Sequence, residues 1–322
     1  MLTSKKTICT DINELLELLS LNKAQVNYSD KIHQDFSLRV PYSFIAKMEK
    51  GNPYDPLLLQ ILPRIAELEQ ASRYEFDPLK ERDYIDDNGL IQKYQARLLL
   101  MPTSACGIHC RYCFRRHFPY HEQAINKQNI ENQIIQIQKK SDIKEVILSG
   151  GDPLLLSNKN LGKILTRLNK LSQLQYLRIH TRQLIVEPKR IDDELISIFK
   201  SLTKPLTIVF HCNHANELDS EVQQKLQQLK FNNIQLLNQS VLLKGINDSV
   251  ESLSDLSERL LQYGVLPYYL HQLDKVIGTG HFEVSDQHAI MLIQQLKTRL
   301  PGYLVPKLVR ETPGAAYKES VF

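Results

Sequence analysis

From about residue 97 onward the apolar residues of this chain alternate between two rhythms. Short, nearly continuous apolar runs stand at Arg97–Met101, Glu145–Leu148, Tyr176–Ile179, Leu206–Phe210, Ile234–Leu237 and Val265–Leu270. Between them lie stretches with helical spacing at Asn160–Leu171, Ile191–Leu202, Glu217–Leu229, Ser252–Tyr263 and Asp286–Leu300. The runs start roughly every 30 residues, the size of one strand–helix unit. The first interval is longer because a cysteine-bearing segment is inserted there. Continuous rather than alternating hydrophobicity predicts strands buried on both faces, as in a parallel sheet. Six such units predict an α/β fold, a partial (β/α)6 TIM-like barrel open on one side, over residues 91–305. A doubly wound open sheet is the alternative.

Residues 1–90 follow another pattern. Ile12–Leu19 and Leu57–Gln70 read as helices, broken by Pro41, Gly51, Pro53 and Pro56, and predict a helical N-terminal extension packed on the core. Residues 306–322 form a separate C-terminal segment.

Composition narrows the function. With 322 residues, 42% of them hydrophobic, the chain can bury one large core and a smaller domain. The formal charge of +4, from 40 Lys and Arg against 36 Asp and Glu, leaves no electrostatic footprint for nucleic acid. No apolar stretch approaches the roughly 18–20 residues of a membrane span. Asp11 and Glu14 interrupt any signal-like start. A soluble cytoplasmic protein with neither a nucleic acid nor a membrane partner is expected.

The cysteines carry the first chemistry. Of five, Cys106, Cys110 and Cys113 crowd into one segment, poor geometry for a disulfide framework and good geometry for metal ligation. Their spacing is CxxxCxxC, directly after the first strand. Three thiolates on a four-iron cluster leave one iron open. A structural zinc site would need a fourth ligand, for which His109 or His117 could serve. Cys9 and Cys212 read as bystanders. Ser149-Gly150-Gly151-Asp152-Pro153 follows the second strand, where glycines let a ligand approach the backbone.

This cysteine spacing in this place resembles the radical S-adenosylmethionine (SAM) superfamily, and the Gly150-Gly151-Asp152 turn resembles its SAM-amino-binding motif. The resemblance implies a [4Fe-4S] cluster on Cys106, Cys110 and Cys113. It also implies SAM on the open iron with Tyr112 leaning on adenine, and a 5′-deoxyadenosyl radical. Further segments resemble the lysine 2,3-aminomutase family over most of residues 35–318: Cys110-Arg-Tyr-Cys-Phe-Arg-Arg-His117, Ser149-Gly-Gly-Asp-Pro-Leu154, Asn238-Gln-Ser-Val-Leu-Leu243 and Pro267-Tyr-Tyr269. The run from Cys113 to Tyr120 is most similar to the short branch that supplies β-lysine for modifying elongation factor P. The early end of the chain is expected to fit that branch, because longer members carry a C-terminal extension with further cysteines.

Residue by residue, the family resemblance implies pyridoxal phosphate (PLP) with Lys318 as its Schiff-base lysine. The tail Arg310-Glu-Thr-Pro-Gly-Ala-Ala-Tyr-Lys318 departs from longer members, which carry a glycine run where Ala315, Ala316 and Tyr317 stand. Lys93 and Arg97 resemble the phosphate-binding cations, Lys93 replacing an arginine, and Ser240 resembles the hydroxyl contact. Arg115 stands at the position that binds the substrate carboxylate. Asp274 and Glu311 stand where two carboxylates bind the lysine ammonium, Glu311 replacing an aspartate. The expectation is an isomerase converting L-α-lysine to (R)-β-lysine. It would draw electrons from a flavodoxin or ferredoxin and be linked to the lysyl-ligase of elongation factor P. The alternatives are an aminomutase for another amino acid such as glutamate, or a non-catalytic metal-binding module.

Overall fold

The computed structural model describes residues 6–69, 72–119, 127–231 and 233–322. The first residues of the chain, Gln70 and Tyr120 lie outside the described residues. The N-terminal segment pairs β1 (Ile8–Cys9) antiparallel with β2 (Val40–Pro41), around the short helices α1 (Ile12–Leu18) and α2 (Asp30–Asp35) and before α3 (Tyr42–Ile45). Asp11 starts α1 by accepting the amides of Asn13 and Glu14, and Ser29 starts α2 by accepting that of Ile32. The helix expected over residues 57–70 does not form. Leu57, Leu58, Leu59, Gln60, Ile61 and Leu62 are all buried in consecutive turns, and Pro63, which has no amide hydrogen, ends them. A 3₁₀ turn at Ile65–Leu68 follows.

All six apolar runs are strands: β3 (Arg97–Thr103), β4 (Glu145–Gly150), β5 (Tyr176–Thr181), β6 (Leu206–His211), β7 (Ile234–Val241) and β8 (Leu266–His271). They pair in parallel in sequence order, and a seventh, β9 (Lys307–Arg310), adds to β8 in parallel. The tail returns as β10 (Glu319–Ser320), antiparallel to β9, so that β3 and β10 stand at opposite edges of an eight-stranded sheet. The chain is therefore α/β with a mostly parallel sheet.

The helices between the strands are α4 (Lys127–Lys139), α5 (Asn158–Asn169), the short α6 (Gln183–Val186), α7 (Asp193–Lys200), α8 (Ser220–Gln227), α9 (Val250–Gln262) and α10 (Asp286–Arg299). Ser157, Asp192, Asp219, Ser249 and Ser285 cap the starts of α5, α7, α8, α9 and α10, each accepting an amide of the first turn. Leu161, Ile164, Leu165 and Leu168 of α5 recur at helical spacing and pack into the main core with Val146, Leu148, Leu177 and Ile179 of the strands. Burying each leucine-sized side chain favours the fold by about 1.5–3 kcal/mol. A second core, built on Leu15, Phe44, Leu57 and Leu58, includes Ile108 of the cysteine loop and Val186 of α6. The N-terminal segment is thus packed against the cysteine loop. No helix among the described residues is long and apolar enough to cross a membrane.

Candidate active site at the carboxyl ends of the strands

The cysteine loop leaves the end of β3. Cys106, Cys110 and Cys113 are free thiols, each partly buried. Burial, then the neighbouring Cys113, pushes the Cys106 thiol up, and burial, then Cys110, pushes Cys113 up to about 11. Cys106 and Cys113 thus keep their protons through burial and through the thiols nearby. Among the described residues no three His, Cys, Asp or Glu side chains converge on a single ion. His109 turns its Nδ1 to the Ser37 carbonyl at 2.8 Å and stacks on Phe36. His117 turns its Nε2 to the Ile277 carbonyl at 3.4 Å.

The N-terminal segment braces this loop by its backbone. Arg39 donates to the Cys106 carbonyl at 2.8 Å, the His109 amide to the Arg39 carbonyl at 2.9 Å, and the Arg111 amide to the Gln60 carbonyl at 2.8 Å. Arg111 is fully buried and forks onto Glu67, at 2.8 and 2.7 Å, and Arg116 adds a contact to Glu67 at 2.9 Å.

Gly150 ends β4 and Gly151 follows it. Gly150 takes a positive φ of 107°, and a Cβ on Gly151 would sit 2.3 Å from the Ala105 carbonyl oxygen. These glycines are needed first so that β4 can lie against the cysteine loop. Asp152 is buried and its carboxylate accepts from Thr181 Oγ1 at 2.8 Å and from the amides of Leu154, Arg182 and Gln183 at 3.0, 2.7 and 2.9 Å. It ties the end of β4 to the end of β5.

Lys318 is brought to the same rim by the tail. Thr312-Pro313-Gly314-Ala315 turns the chain, with the Ala315 amide bonded to the Thr312 carbonyl and Gly314 at a φ of 85°. The β9–β10 register, Glu319 opposite Arg310, then sets Lys318 across from Glu311, and the two side chains form an ion pair. Glu311 also holds Lys93 at 2.8 Å; Lys93 reaches Glu81 at 3.1 Å; and Glu81 forks onto Arg115 at 2.6 and 2.9 Å. Burial works against the Glu311 carboxylate, but the Lys318 and Lys93 ammoniums overcome it and hold its pKa well below the usual range. Half-buried Asp274 lies within reach of the same charges, and burial, then Glu311, pushes its carboxyl up to about 7. Arg97 stacks its guanidinium on Tyr94, 5.0 Å from the ring centre.

Three histidines complete the rim. His180 is the last residue but one of β5, His211 ends β6 and His271 ends β8, and the first two rings meet edge to face at 5.8 Å. His211 also meets the Gln239 amide at 2.9 Å. Burial, then the Arg182, Arg115 and Lys318 cations, pushes His211 down to about 3. Burial and Lys318 act on His271 in the same direction. His180 Nε2 and His271 Nε2 are buried and have no hydrogen-bond partner. The imidazoles are neutral at physiological pH, and His211 feels both the Arg182 beside Cys110 and the distant Lys318.

A model of the radical SAM superfamily matches residues 100–256. An L-lysine 2,3-aminomutase of Buchnera aphidicola is 45% identical over 97% of this chain and 92% of its own length. One of Escherichia coli is 43% identical over 98% of this chain and 93% of its own. One of Clostridium subterminale is 32% identical over 96% of this chain and 74% of its own. The chain belongs to the lysine 2,3-aminomutase family. It is an isomerase with a radical SAM domain, and that superfamily implies a four-iron cluster and SAM.

For an aminomutase site, the structure brings Lys318, Glu311, Lys93, Asp274 and Arg115 into one charged set. The buried Ser240 hydroxyl donates to the Cys212 carbonyl at 2.8 Å and accepts from Asn238. Tyr112 is buried against Leu59, Leu243 and Phe282, and its hydroxyl accepts from Arg182. Asp152 spends its oxygens on backbone amides and Thr181. Sequence reasoning missed Glu81, the three histidines and Arg182. The histidines had a signal, since each stands at the carboxyl end of an expected strand.

Proposed function

We propose that this aminomutase uses SAM, a [4Fe-4S] cluster and PLP to convert L-α-lysine into (R)-β-lysine. The observation that carries the reading is Lys318. A lysine near the end of the chain is turned inward, paired with Glu311 and felt by the histidines at the ends of β5, β6 and β8. The activity in the names of the relatives at 43–45% identity supports the same reading.

The residues fit the three groups. Three thiols on one loop leave an iron open for SAM. Lys93 and Arg97 suit a phosphate, Lys318 offers an amine, and the orphaned nitrogens of His180 and His271 offer buried polar contacts. When bound, the cluster and SAM supply a hydrogen-abstracting radical, and PLP supplies the delocalising ring on which the amino group migrates. The chain's own work is binding and orientation. Lys93 and Arg97 hold the phosphate, and Lys318 presents its amine. Glu81 fixes Arg115, whose Nη1 points to Ser149 Oγ at 3.3 Å, for the substrate carboxylate. Asp274 and Glu311 bind the far ammonium. The neutral histidines add hydrogen-bonding groups without adding charge.

In this reading residues 1–90 brace the cluster loop, residues 91–305 form a partial barrel, and residues 306–322 carry Lys318. The product serves elongation factor P through its lysyl-ligase, and electrons come from a flavodoxin or ferredoxin. Anaerobic turnover with L-lysine and with L-glutamate, each offered alone, tests the substrate. The expected result is β-lysine and no β-glutamate. Joint replacement Asp274→Asn and Glu311→Gln is expected to lower lysine turnover by roughly 100-fold or more. Unchanged lysine turnover in that variant contradicts the assignment.

A further inference from the structure

The buried guanidinium of Arg182 sits where a cysteine ligand meets the protein. Arg182 follows β5, and its amide is held by Asp152 at 2.7 Å. Its Nη1 donates to Cys110 Sγ at 3.0 Å and to the Tyr112 hydroxyl. Its Nη2 donates to Gln60 Oε1 at 2.8 Å and to Glu217 Oε2 at 3.0 Å. Glu217 is fully buried and is fixed in turn by the amides of Asn213 and His214, at 2.9 and 3.1 Å. Phe44 of α3 packs under the guanidinium, 5.4 Å away. The cation is therefore held by the N-terminal segment, the cysteine loop and the turn after β6, and it cannot swing off the sulfur without abandoning a buried carboxylate.

A neutral thiol is a weak acceptor and gives little return for a donor on a buried cation. A thiolate is a strong one, and a charge-assisted hydrogen bond to it is roughly twice as strong as a neutral one. Hydrogen bonds to ligating sulfurs are among the features that set the potential of an iron–sulfur cluster. We propose that Arg182 is a positioning residue that sets the cluster's reduction potential through Cys110, an assignment that rests on the reading of the cysteines as cluster ligands. A one-electron donor of the flavodoxin or ferredoxin class adds one electron to the cluster, taking it from the 2+ to the 1+ state. No bond breaks, and no proton moves at Cys110. The added electron raises the negative charge on the sulfurs, so the Arg182 hydrogen bond favours the reduced state and moves the potential upward.

The test is an EPR-monitored redox titration of the reconstituted full chain, with iron and sulfide counted per chain. Glu217→Gln is compared with the double variant Arg182→Gln, Glu217→Gln, so that removal of the cation leaves no unpaired carboxylate. The expected result is a full cluster in both proteins and a more negative midpoint in the double variant alone. A role limited to folding lowers cluster content or thermal stability and leaves the midpoint of the assembled fraction unchanged; an unchanged midpoint overturns the assignment. If the double variant assembles no cluster, Arg182→Lys is titrated instead, since it keeps the charge against Glu217 and loses the fork. A lowered midpoint then supports the assignment and an unchanged one overturns it. A wild-type chain that assembles no four-iron cluster overturns the reading of the cysteines, and this assignment with it. A normal wild-type cluster with no shift in the variants overturns only the role of Arg182.

Discussion

Asp274 is a half-buried carboxyl group beside Glu311, and in the ligand-free chain its pKa is raised to about 7. Two consequences follow, with opposite signs. For the fold, the protonated form is the favoured one, so its contribution to stability is lost as pH rises through about 7. Asp274→Asn is therefore expected to raise the melting temperature of the ligand-free chain at pH 8 and to leave it unchanged near pH 4, by scanning calorimetry. For substrate, under the proposed function, the charged form is the useful one, because it is the form that would pair with the lysine ammonium. The KM for lysine is expected to fall as pH rises from 6 to 8. In Asp274→Asn that dependence should flatten, with KM at pH 8 raised roughly 10- to 100-fold. A variant that keeps the wild-type pH profile removes Asp274 from the ammonium site. Gly151 has a plainer constraint. Gly151→Ala puts a methyl against the Ala105 carbonyl, a backbone atom that cannot step aside, at an expected cost of about 1–3 kcal/mol. Urea denaturation measures this, and iron content should fall with it.

Among the elements, the strands were readable and the brace was not. Continuous apolar runs marked the six strands, although β5, β7 and β8 turn out to be partly exposed along their length rather than buried on both faces. β9 was missed because it is four residues long and is bounded by Lys307 and Arg310. The expected helix at 57–70 failed for a different reason. Its apolar residues face the core all round, so they pack as buried turns rather than as one stripe of a surface helix. The function of that segment comes from partners far along the chain: Gln60 with Arg182, and Glu67 with Arg111. Nothing in local spacing announces such pairs. Replacing the carboxylate in Glu67→Gln leaves the fully buried Arg111 without its counter-charge. The expected loss is about 3–5 kcal/mol in chemical denaturation, accompanied by poorer cluster assembly. A loss below about 1 kcal/mol contradicts the bracing role.

Across the whole molecule, one sheet presents two chemistries along one rim. The cysteine loop extends β3 and the lysine tail returns beside β9, and the neutral His211 on β6 feels charges from both directions. The cysteines stand out in the sequence by their spacing, and Lys318 by resemblance alone. The histidines, Glu81 and Arg182 emerged only when the strand ends converged. Ser240, Tyr112 and Asp152 also make contacts within the framework, Ser240 to the Cys212 carbonyl, Tyr112 to Arg182 and Asp152 to the amides of Arg182 and Gln183. Under the proposed function both halves of this rim act in one reaction. The most direct test is an anaerobic assay with SAM, reductant, PLP and L-lysine, read by mass spectrometry for β-lysine and 5′-deoxyadenosine, on the wild type, Cys110→Ala and Lys318→Ala. β-Lysine is expected from the wild type alone, with SAM cleavage lost in Cys110→Ala and retained in Lys318→Ala. β-Lysine from Lys318→Ala, or a wild-type chain that cleaves SAM and leaves lysine untouched, contradicts the proposed function.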